Sequence, residues 1–448
     1  MLFVVFIFII GYLLIALEGP LKLNKSATAL LLAAAIWIFY IFAGEEVFAF
    51  TGFTENFANY KANFPNGSFL TYVAQHEMVE NLGDIAQILF FLMGAMTIVE
   101  TIDHHNGFSI LTDKIKTTNK RKLLWVISLM TFFLSAVLDN ITTTIVMCAM
   151  LRKIIPKGKV RWFFAGMVIL AANCGGAWSP IGDVTTIMLW MGGQVSAGNL
   201  ILKTFIPSIV SLVVPLTIIS FSLKGNFEYY EDHVVNTPNK IPERIRNLVF
   251  FLGIGGLLFV PVFKSVTHLP PFLGMLFSLS VIWLVTEYIS RKYPGKESFS
   301  CAKVLSKIDT PSILFFLGIL LAVGGLHSMG YLDMFATGLT QAFHGNIYSI
   351  NICIGIISSI IDNVPLIAGT MGMYPLSVFP TDHSFWLFLS YCGGTGGNLL
   401  IIGSAAGIVA MGMEKIDFFW YMRKISIWAL IGFFAGAGVY VVFDKFVF

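Results

Sequence analysis

Charged residues are scarce in this sequence. They make up 12% of its 448 positions, whereas apolar residues make up 56%. An average soluble domain carries about 25% charged residues, and the mean hydropathy here is +0.81. This composition excludes a water-soluble enzyme, and it is unlike that of disordered chains, collagen and coiled coils. We therefore expect a protein of the lipid bilayer.

Cysteine motifs and a strong net charge are also missing. The five cysteines show no CxxC spacing, so the sequence indicates neither a thiolate metal site nor disulfides. The net charge of +3 is too small to indicate nucleic-acid binding, and we expect no cofactor. Residues 1–17 lack the basic start and the cleavage site of a signal peptide, so we interpret them as a retained membrane helix.

Long apolar runs, in contrast, are abundant. A helix that spans a bilayer needs about 20 mostly apolar residues. The sequence predicts such helices at 1–17, 27–43, 84–101, 201–222, 248–264, 271–289, 311–327 and 425–446. Three further apolar stretches, 123–151, 162–191 and 350–412, are too long or too interrupted to form one plain helix.

The basic residues of short loops indicate which side of the membrane is cytoplasmic. Loops 102–122 and 152–161 each carry five Lys or Arg residues, although the apolar stretch 123–151 lies between them. A single crossing would put one of these loops outside, whereas a re-entrant hairpin keeps both inside. We therefore predict a hairpin over 123–151, with its tip at Asp139-Asn140.

This hairpin makes the remaining topology consistent. All but four of the 28 Lys and Arg residues then lie on the cytoplasmic side, and the acidic loop 44–83 lies outside. We predict a multi-pass protein of the cell (inner) membrane with both termini outside.

Three short segments recur in the same order at a spacing of about 220 residues. Residues 88–92 recur at 313–317, 135–140 resemble 358–363, and the Cys-Gly-Gly at 174–176 recurs at 392–394. In the predicted topology the two halves run in opposite directions, which is the inverted repeat of secondary transporters.

The expected fold is an all-α polytopic membrane protein with two inverted-topology repeats and discontinuous helices at the midplane. Each repeat has about five transmembrane helices and one re-entrant hairpin. The predicted parts are repeat 1–222 (hairpin 123–151, broken helix 162–191), cytoplasmic linker 223–247 and repeat 248–448 (hairpin 350–380, broken helix 385–412).

Each hairpin tip carries an Asp-Asn pair, Asp139-Asn140 in the first half and Asp362-Asn363 in the second. An ionised carboxylate at mid-bilayer is costly unless it is paired or hydrated. Capping of a helix would explain an Asn or a Ser at such a position, but it explains a carboxylate poorly. We therefore predict that each Asp binds a cation or a proton.

The second candidate feature is the segment 173–186, where Gly pairs and a Pro interrupt an apolar helix. Non-helical backbone at this depth is tolerated only where it lines a cavity or is buried in protein. Freed carbonyls and the hydroxyls of Ser179, Thr185 and Thr186 offer oxygen ligands for a hard cation, and Asp183 offers a charge. A proline kink with satisfied polar groups is the alternative interpretation.

The matching segment of the second half, 391–398, is richer in glycine and ends at Asn398. The repeat places Ser404 near the position of Asp183. The halves therefore differ, because the first has two midplane acids and the second has only Asp362.

The paired Asp-Asn tips and the run 175–186 resemble the NhaD-type sodium/proton antiporters of the ion transporter superfamily, over nearly the whole chain. The resemblance implies two inverted repeats with two hairpins, and members of the superfamily can form homodimers. The functional positions that it implies are Asp139, Asn140, Asn173, Asp183, Thr185, Thr186, Ser358, Asp362 and Asn363. Together with Ser179 and Asn398 these are the candidate ion-binding residues, and Asp139, Asp183 and Asp362 are the candidate Na⁺ ligands.

The resulting hypothesis is a secondary active transporter, not an enzyme, that exchanges Na⁺ for H⁺ by alternating access. Li⁺ is a second candidate cation, and the expected role is in pH homeostasis. A sodium-coupled anion or dicarboxylate carrier, or a metalloid efflux permease, is the first alternative. The related dicarboxylate carriers have Ser-Asn-Thr tips, and a carboxylate at the tip would repel a dicarboxylate. An intramembrane aspartyl protease is a remote alternative, suggested by Gly182-Asp183, but it has no need of duplicated tips.

Overall fold

The structure is a computed structural model that describes residues 3–16, 23–43, 46–51, 55–112, 117–223, 225–227, 242–292, 301–360 and 362–446. The described residues contain no β-strand, and an isolated bridge joins Asn119 to Asn226. Eight helices in these ranges are long and apolar enough to cross a membrane. The prediction of an all-α polytopic membrane protein is confirmed.

The helices, in chain order, are α1 (Phe3–Ala16), α2 (Lys25–Ala43), α3 (Glu46–Thr51), α4 (Glu55–Asn63), α5 (Phe69–Tyr72), α6 (Met78–His104), α7 (Ser109–Thr112), α8 (Lys120–Leu138), α9 (Asn140–Ile154), α10 (Lys159–Gly176), α11 (Val184–Met191), α12 (Ala197–Ser222), α13 (Glu243–Thr267), α14 (Pro271–Lys292), α15 (Cys301–Val304), α16 (Thr310–Ser328), α17 (Tyr331–Ala342), α18 (Ile347–Ile357), α19 (Asn363–Met373), α20 (Ser384–Gly396), α21 (Ala405–Glu414), α22 (Phe418–Lys424) and α23 (Ser426–Phe446). A π-helical turn, Val73–Glu77, precedes α6, and a 3₁₀ turn, Leu305–Lys307, follows α15.

Two stretches differ from a plain alternation of spans and loops. The acidic loop 44–83 is largely helical where it is described, since it holds α3, α4, α5 and the start of α6. Buried aromatic side chains such as Phe48, Phe57 and Tyr72 pack there and outweigh the weak helix propensity of the segment. Of the predicted linker, 224 and 228–241 lie outside the described residues, and 243–247 already belong to α13.

The chain forms two compact units. The first unit comprises residues 1–90, 309–350 and 364–380. Its main packing is α2 against α16, where a Cβ on Gly318 would lie 2.5 Å from the backbone carbon of Ala29. Trp37 Nε1 donates to Leu321 O at 2.9 Å along the same interface. Only a glycine allows two helix backbones to approach this closely.

The second unit comprises residues 91–308, 351–363 and 381–448. It packs α12 against α23, and α10 against α8, α9, α20 and α21. From Phe164 to Gly176 every side chain of α10 is buried, as is every residue of α20 from Phe385 to Gly396. A helix that is apolar and buried on all sides is a core helix rather than a lipid-facing one. These two core helices carry the interrupted segments that hold the candidate site.

Candidate functional site

The first predicted tip is a break in the backbone. Helix α8 ends at Leu138, and Asp139 has φ 75° and ψ 159°, a conformation that L-residues rarely adopt. Asp139 is the N-cap of α9, and its two carboxyl oxygens accept hydrogen bonds from the Thr142 backbone N and hydroxyl, each at 2.8 Å. Capping is therefore present, but the strained backbone is a cost that a simple cap does not require.

The interrupted segment of the first half also contains a break. Helix α10 ends at Gly176, and the chain is non-helical until Asp183 caps α11. Asp183 Oδ1 accepts from Thr185 N at 3.1 Å, and the Thr186 hydroxyl accepts from Asp183 N at 3.2 Å. Asp183 is 1% exposed, so its carboxylate is held away from water at the positive end of a short helix.

A network of side-chain amides surrounds Asp183. Its Oδ2 accepts from Asn140 Nδ2 at 2.9 Å and from Asn363 Nδ2 at 3.2 Å. Asn140 Nδ2 also donates to Asn173 Oδ1 at 3.1 Å, and Asn173 Nδ2 donates to Asn398 Oδ1 at 2.9 Å. We call these five residues the amide network. All of them are at most 3% exposed, so the network joins both tips and both interrupted helices in one buried polar cluster.

The other predicted residues lie around this network. Asp139 and Asp362 lie close enough to Asp183 for their charges to act on it, and Asp362 is half-buried. Ser179 donates to Ala136 O, and Ser358 donates to Gly393 O at 3.1 Å, so both hydroxyls tie an interrupted helix to a tip. These two serines have structural partners, whereas the Asp183 carboxylate is hydrogen-bonded to the amides of Asn140 and Asn363.

A narrow cavity reaches Asp139. Its volume is about 20 Å³, enough for one water molecule, and its lining includes Met96, Leu257 and Met275. Among the described residues that line it, Asp139 is the only ionisable one. A single carboxylate in an otherwise apolar cavity is a place where a proton or a cation can be held.

The interrupted helices make the same close contacts in both halves. A Cβ on Gly176 would lie 2.5 Å from Gly182 O, and a Cβ on Gly397 would lie 2.7 Å from Gly403 O. The N-caps that follow have nearly the same dihedrals, with φ −148° at Asp183 and φ −147° at Ser404. These contacts match at an offset of 221 residues, whereas the predicted Cys-Gly-Gly match has an offset of 218.

Ser404 therefore has the backbone position of Asp183, as the repeat predicted, but its part in the site was missed. Its hydroxyl accepts from Asn173 Nδ2 at 2.8 Å, which adds it to the edge of the amide network. The repeat itself was the signal that could have found this residue. Where the first half has a carboxylate, the second half has a neutral hydroxyl.

The chain is similar to several known proteins. Residues 12–392 match the family model described as citrate transporter, CitMHS. The chain is 44% identical to sodium/proton antiporter 2 of Arabidopsis thaliana over 98% of its own length and 99% of that protein. It is 44% identical to sodium/proton antiporter 1 of the same plant, over 97% of the chain and 71% of the relative. It is 30% identical to the Na⁺/H⁺ antiporter NhaD of Vibrio cholerae, over 91% of the chain and 84% of the relative.

Proposed function

The chain belongs to the citrate transporter (CitMHS) family and to the NhaD-type sodium/proton antiporters, and from this premise we propose that it exchanges Na⁺ for H⁺ across a membrane. The observation that carries the proposal is Asp183, a buried carboxylate surrounded by amides from both tips. A carboxylate can bind either a proton or a hard cation, and a buried site makes the two mutually exclusive. Mutual exclusion at one site is what couples the two fluxes.

Oxygen ligands for Na⁺ are available at the network. Asp183 supplies the charge, and the amide oxygens of Asn140, Asn363 and Asn398 can turn toward a bound ion when their amino groups turn away. Asp139 and Asp362 add negative charge nearby, and the cavity at Asp139 gives that carboxylate space for an ion or a proton. We therefore place Na⁺ at Asp183, with Asp139 and Asp362 as the further ion-binding and proton-binding acids.

The family description raises a second candidate, a carrier of citrate. The electrostatics of the site oppose it, because three acids lie together there. Among the described residues, the hydrogen bonds of the amide network involve no Lys or Arg. A polycarboxylate would meet repulsion at this place, whereas a monovalent cation would meet attraction.

Transport by inverted membrane vesicles would test the choice of substrate. In vesicles with an acidic interior, NaCl is expected to cause proton release, and LiCl is the second cation to examine. KCl and citrate are the comparison salts. Because protons compete with Na⁺, the Na⁺ concentration for half-maximal release should rise as the pH of the assay falls. Proton release that follows the addition of citrate but not of the other salts would favour the carrier of citrate. No proton release with any cation would refute the exchanger.

We further propose that the protein lies in the cell membrane with its basic loops in the cytoplasm and both termini outside. A cysteine introduced by Lys157→Cys should then react with an impermeant maleimide in inverted vesicles and stay unlabelled in intact cells. Lys61→Cys is the matched control and should show the opposite pattern. The reverse result for both would invert the orientation. Size determination in detergent would show whether the protein is a homodimer.

A further inference from the structure

A second buried carboxylate lies outside the amide network. Glu414 is the last residue of α21, and its side chain is 1% exposed. Arg152 Nε lies 2.6 Å from Glu414 Oε1, and Arg161 Nε lies 2.9 Å from Oε2. The first contact is a hydrogen-bonded ion pair, whereas the second is an ion pair by distance that lacks the alignment of a straight hydrogen bond. One carboxylate thus binds two arginines from different helices.

Backbone contacts reinforce this cluster. Trp162 Nε1 donates to Glu414 O at 2.9 Å, and Arg152 also donates to Met413 O. Lys415 follows with φ 56°, which ends the helix. Two of the carbonyls at the end of α21, those of Met413 and Glu414, are therefore satisfied by residues of α9 and α10. We call Arg152, Arg161 and Glu414 the arginine clamp.

The three helices of the clamp are also helices of the site. Helix α9 begins at Asn140 and carries Arg152 near its other end. Helix α10 starts near Arg161 and carries Asn173 near its other end. Helix α21 follows Ser404 and ends at Glu414. Each of the three helices thus has a clamp residue at one end. At the other end lies a member of the amide network, Asn140 or Asn173, or Ser404, which is hydrogen-bonded to the network.

We propose that the arginine clamp is a latch whose residues position the site helices, and that it is closed in this structure and opens when the site faces the cytoplasm. The orientation rests on the proposed function. A buried ion pair adds little to stability over a packed apolar contact. Charges that separate into water recover their hydration, which offsets much of the attraction lost, so a paired, dry state can exchange with a separated, hydrated one. Arg152 is 44% exposed, so water can reach the clamp when it separates.

The chain contains a native reporter for this opening. Cys148 lies one helical turn before Arg152 on α9, and it is fully buried. Its thiol lies close enough to Glu414, Arg152 and Arg161 for their charges to act on it. Separation of the clamp would hydrate this thiol and expose it to alkylation.

Alkylation of Cys148 tests the latch in the full-length protein. The other cysteines, which are Cys174, Cys301, Cys353 and Cys392, are first replaced by alanine. The reaction with N-ethylmaleimide is then followed in inverted vesicles. We expect slow labelling with the intact clamp and labelling about tenfold faster in Arg152→Gln, because this change leaves Arg161 to pair with Glu414 but loosens the clamp. Arg152→Lys should restore most of the protection.

A matched control uses an ion pair away from the clamp. Arg291 Nε lies 3.5 Å from Glu287, and both side chains are more exposed, so Arg291→Gln should leave the labelling rate unchanged. In a transport assay Arg152→Gln should lower the KM for cytoplasmic Na⁺ and lower kcat, since the open state becomes easier to reach and harder to leave. If the clamp only held the helices together, its loss would not lower KM and kcat at the same time.

The latch would be refuted if Cys148 stayed unreactive in Arg152→Gln while this variant transported at the rate of the unaltered protein. It would also be refuted if Arg291→Gln accelerated labelling as much as Arg152→Gln. Because the labelling arm needs no transported ion, its outcome is independent of the exchange assay. A failure of the latch is therefore distinguishable from a failure of the proposed function.

Discussion

Replacement of Asp183 by asparagine is expected to abolish Na⁺-driven proton release. The substituted side chain would keep the size of the original but would lose its charge and its exchangeable proton. It would also place an amide against the Nδ2 donors of Asn140 and Asn363, which now meet a carboxylate oxygen. Loss of a partner that only orients a metal ligand costs about 10–100-fold in affinity, and we expect the loss of the ligand itself to cost at least ~100-fold.

The chain supplies its own test of whether such a variant folds. Ser404 has the backbone conformation of Asp183 and caps α21 as Asp183 caps α11. Asp183→Ser should therefore fold and yet fail to transport. Asp417→Asn is the matched control, because Asp417 is an exposed N-cap that accepts from Trp420 N at 2.7 Å. Its loss should leave exchange intact. Normal exchange by both Asp183 variants would remove Asp183 from the site.

The sequence could predict where the helices break, but it could not predict which residues meet. Charge, glycine and proline in an apolar run are unusual enough to locate Asp139 and Asp183 without a structure. The hydrogen bond from Asn173 to Asn398, in contrast, joins residues 225 positions apart. No local pattern encodes such a contact, and only the resemblance to a known family indicated that Asn173 was functional.

The arginine clamp shows a second limit. In the sequence, Arg152 and Arg161 are loop charges that indicate the orientation of the protein, and Glu414 lies after the predicted broken helix 385–412. Their pairing is a matter of burial, which hydropathy does not reveal at a helix end. The same holds for residues 46–77, where short helices are stabilised by aromatic packing rather than by an apolar periodicity.

The second large effect is a loss of stability, which we expect when either of two glycines with no part in ion binding is replaced. A Cβ on Gly175 would overlap the carbonyl oxygen of Phe132, and a Cβ on Gly396 would overlap that of Gly355. Each clash is with a backbone atom of a neighbouring helix, so no side-chain rotation relieves it. Overpacking of a core costs about 1–3 kcal/mol and occasionally more. We expect Gly175→Ala and Gly396→Ala to exceed this range, because two helices must separate.

Thermal unfolding of the purified protein in detergent would measure both effects. Gly412→Ala is the matched control, since it lies inside α21 with open space around its added Cβ. That change should raise stability by up to about 1 kcal/mol, the difference in helix propensity between alanine and glycine. Gly175→Ala and Gly396→Ala should lower the Tm by similar amounts, because the same contact occurs once in each half of the chain.

A Tm of Gly396→Ala equal to that of Gly412→Ala would show that the helix around Gly396 is not packed as described. A large loss in Gly175→Ala alone would show that only the first interrupted helix depends on this close approach.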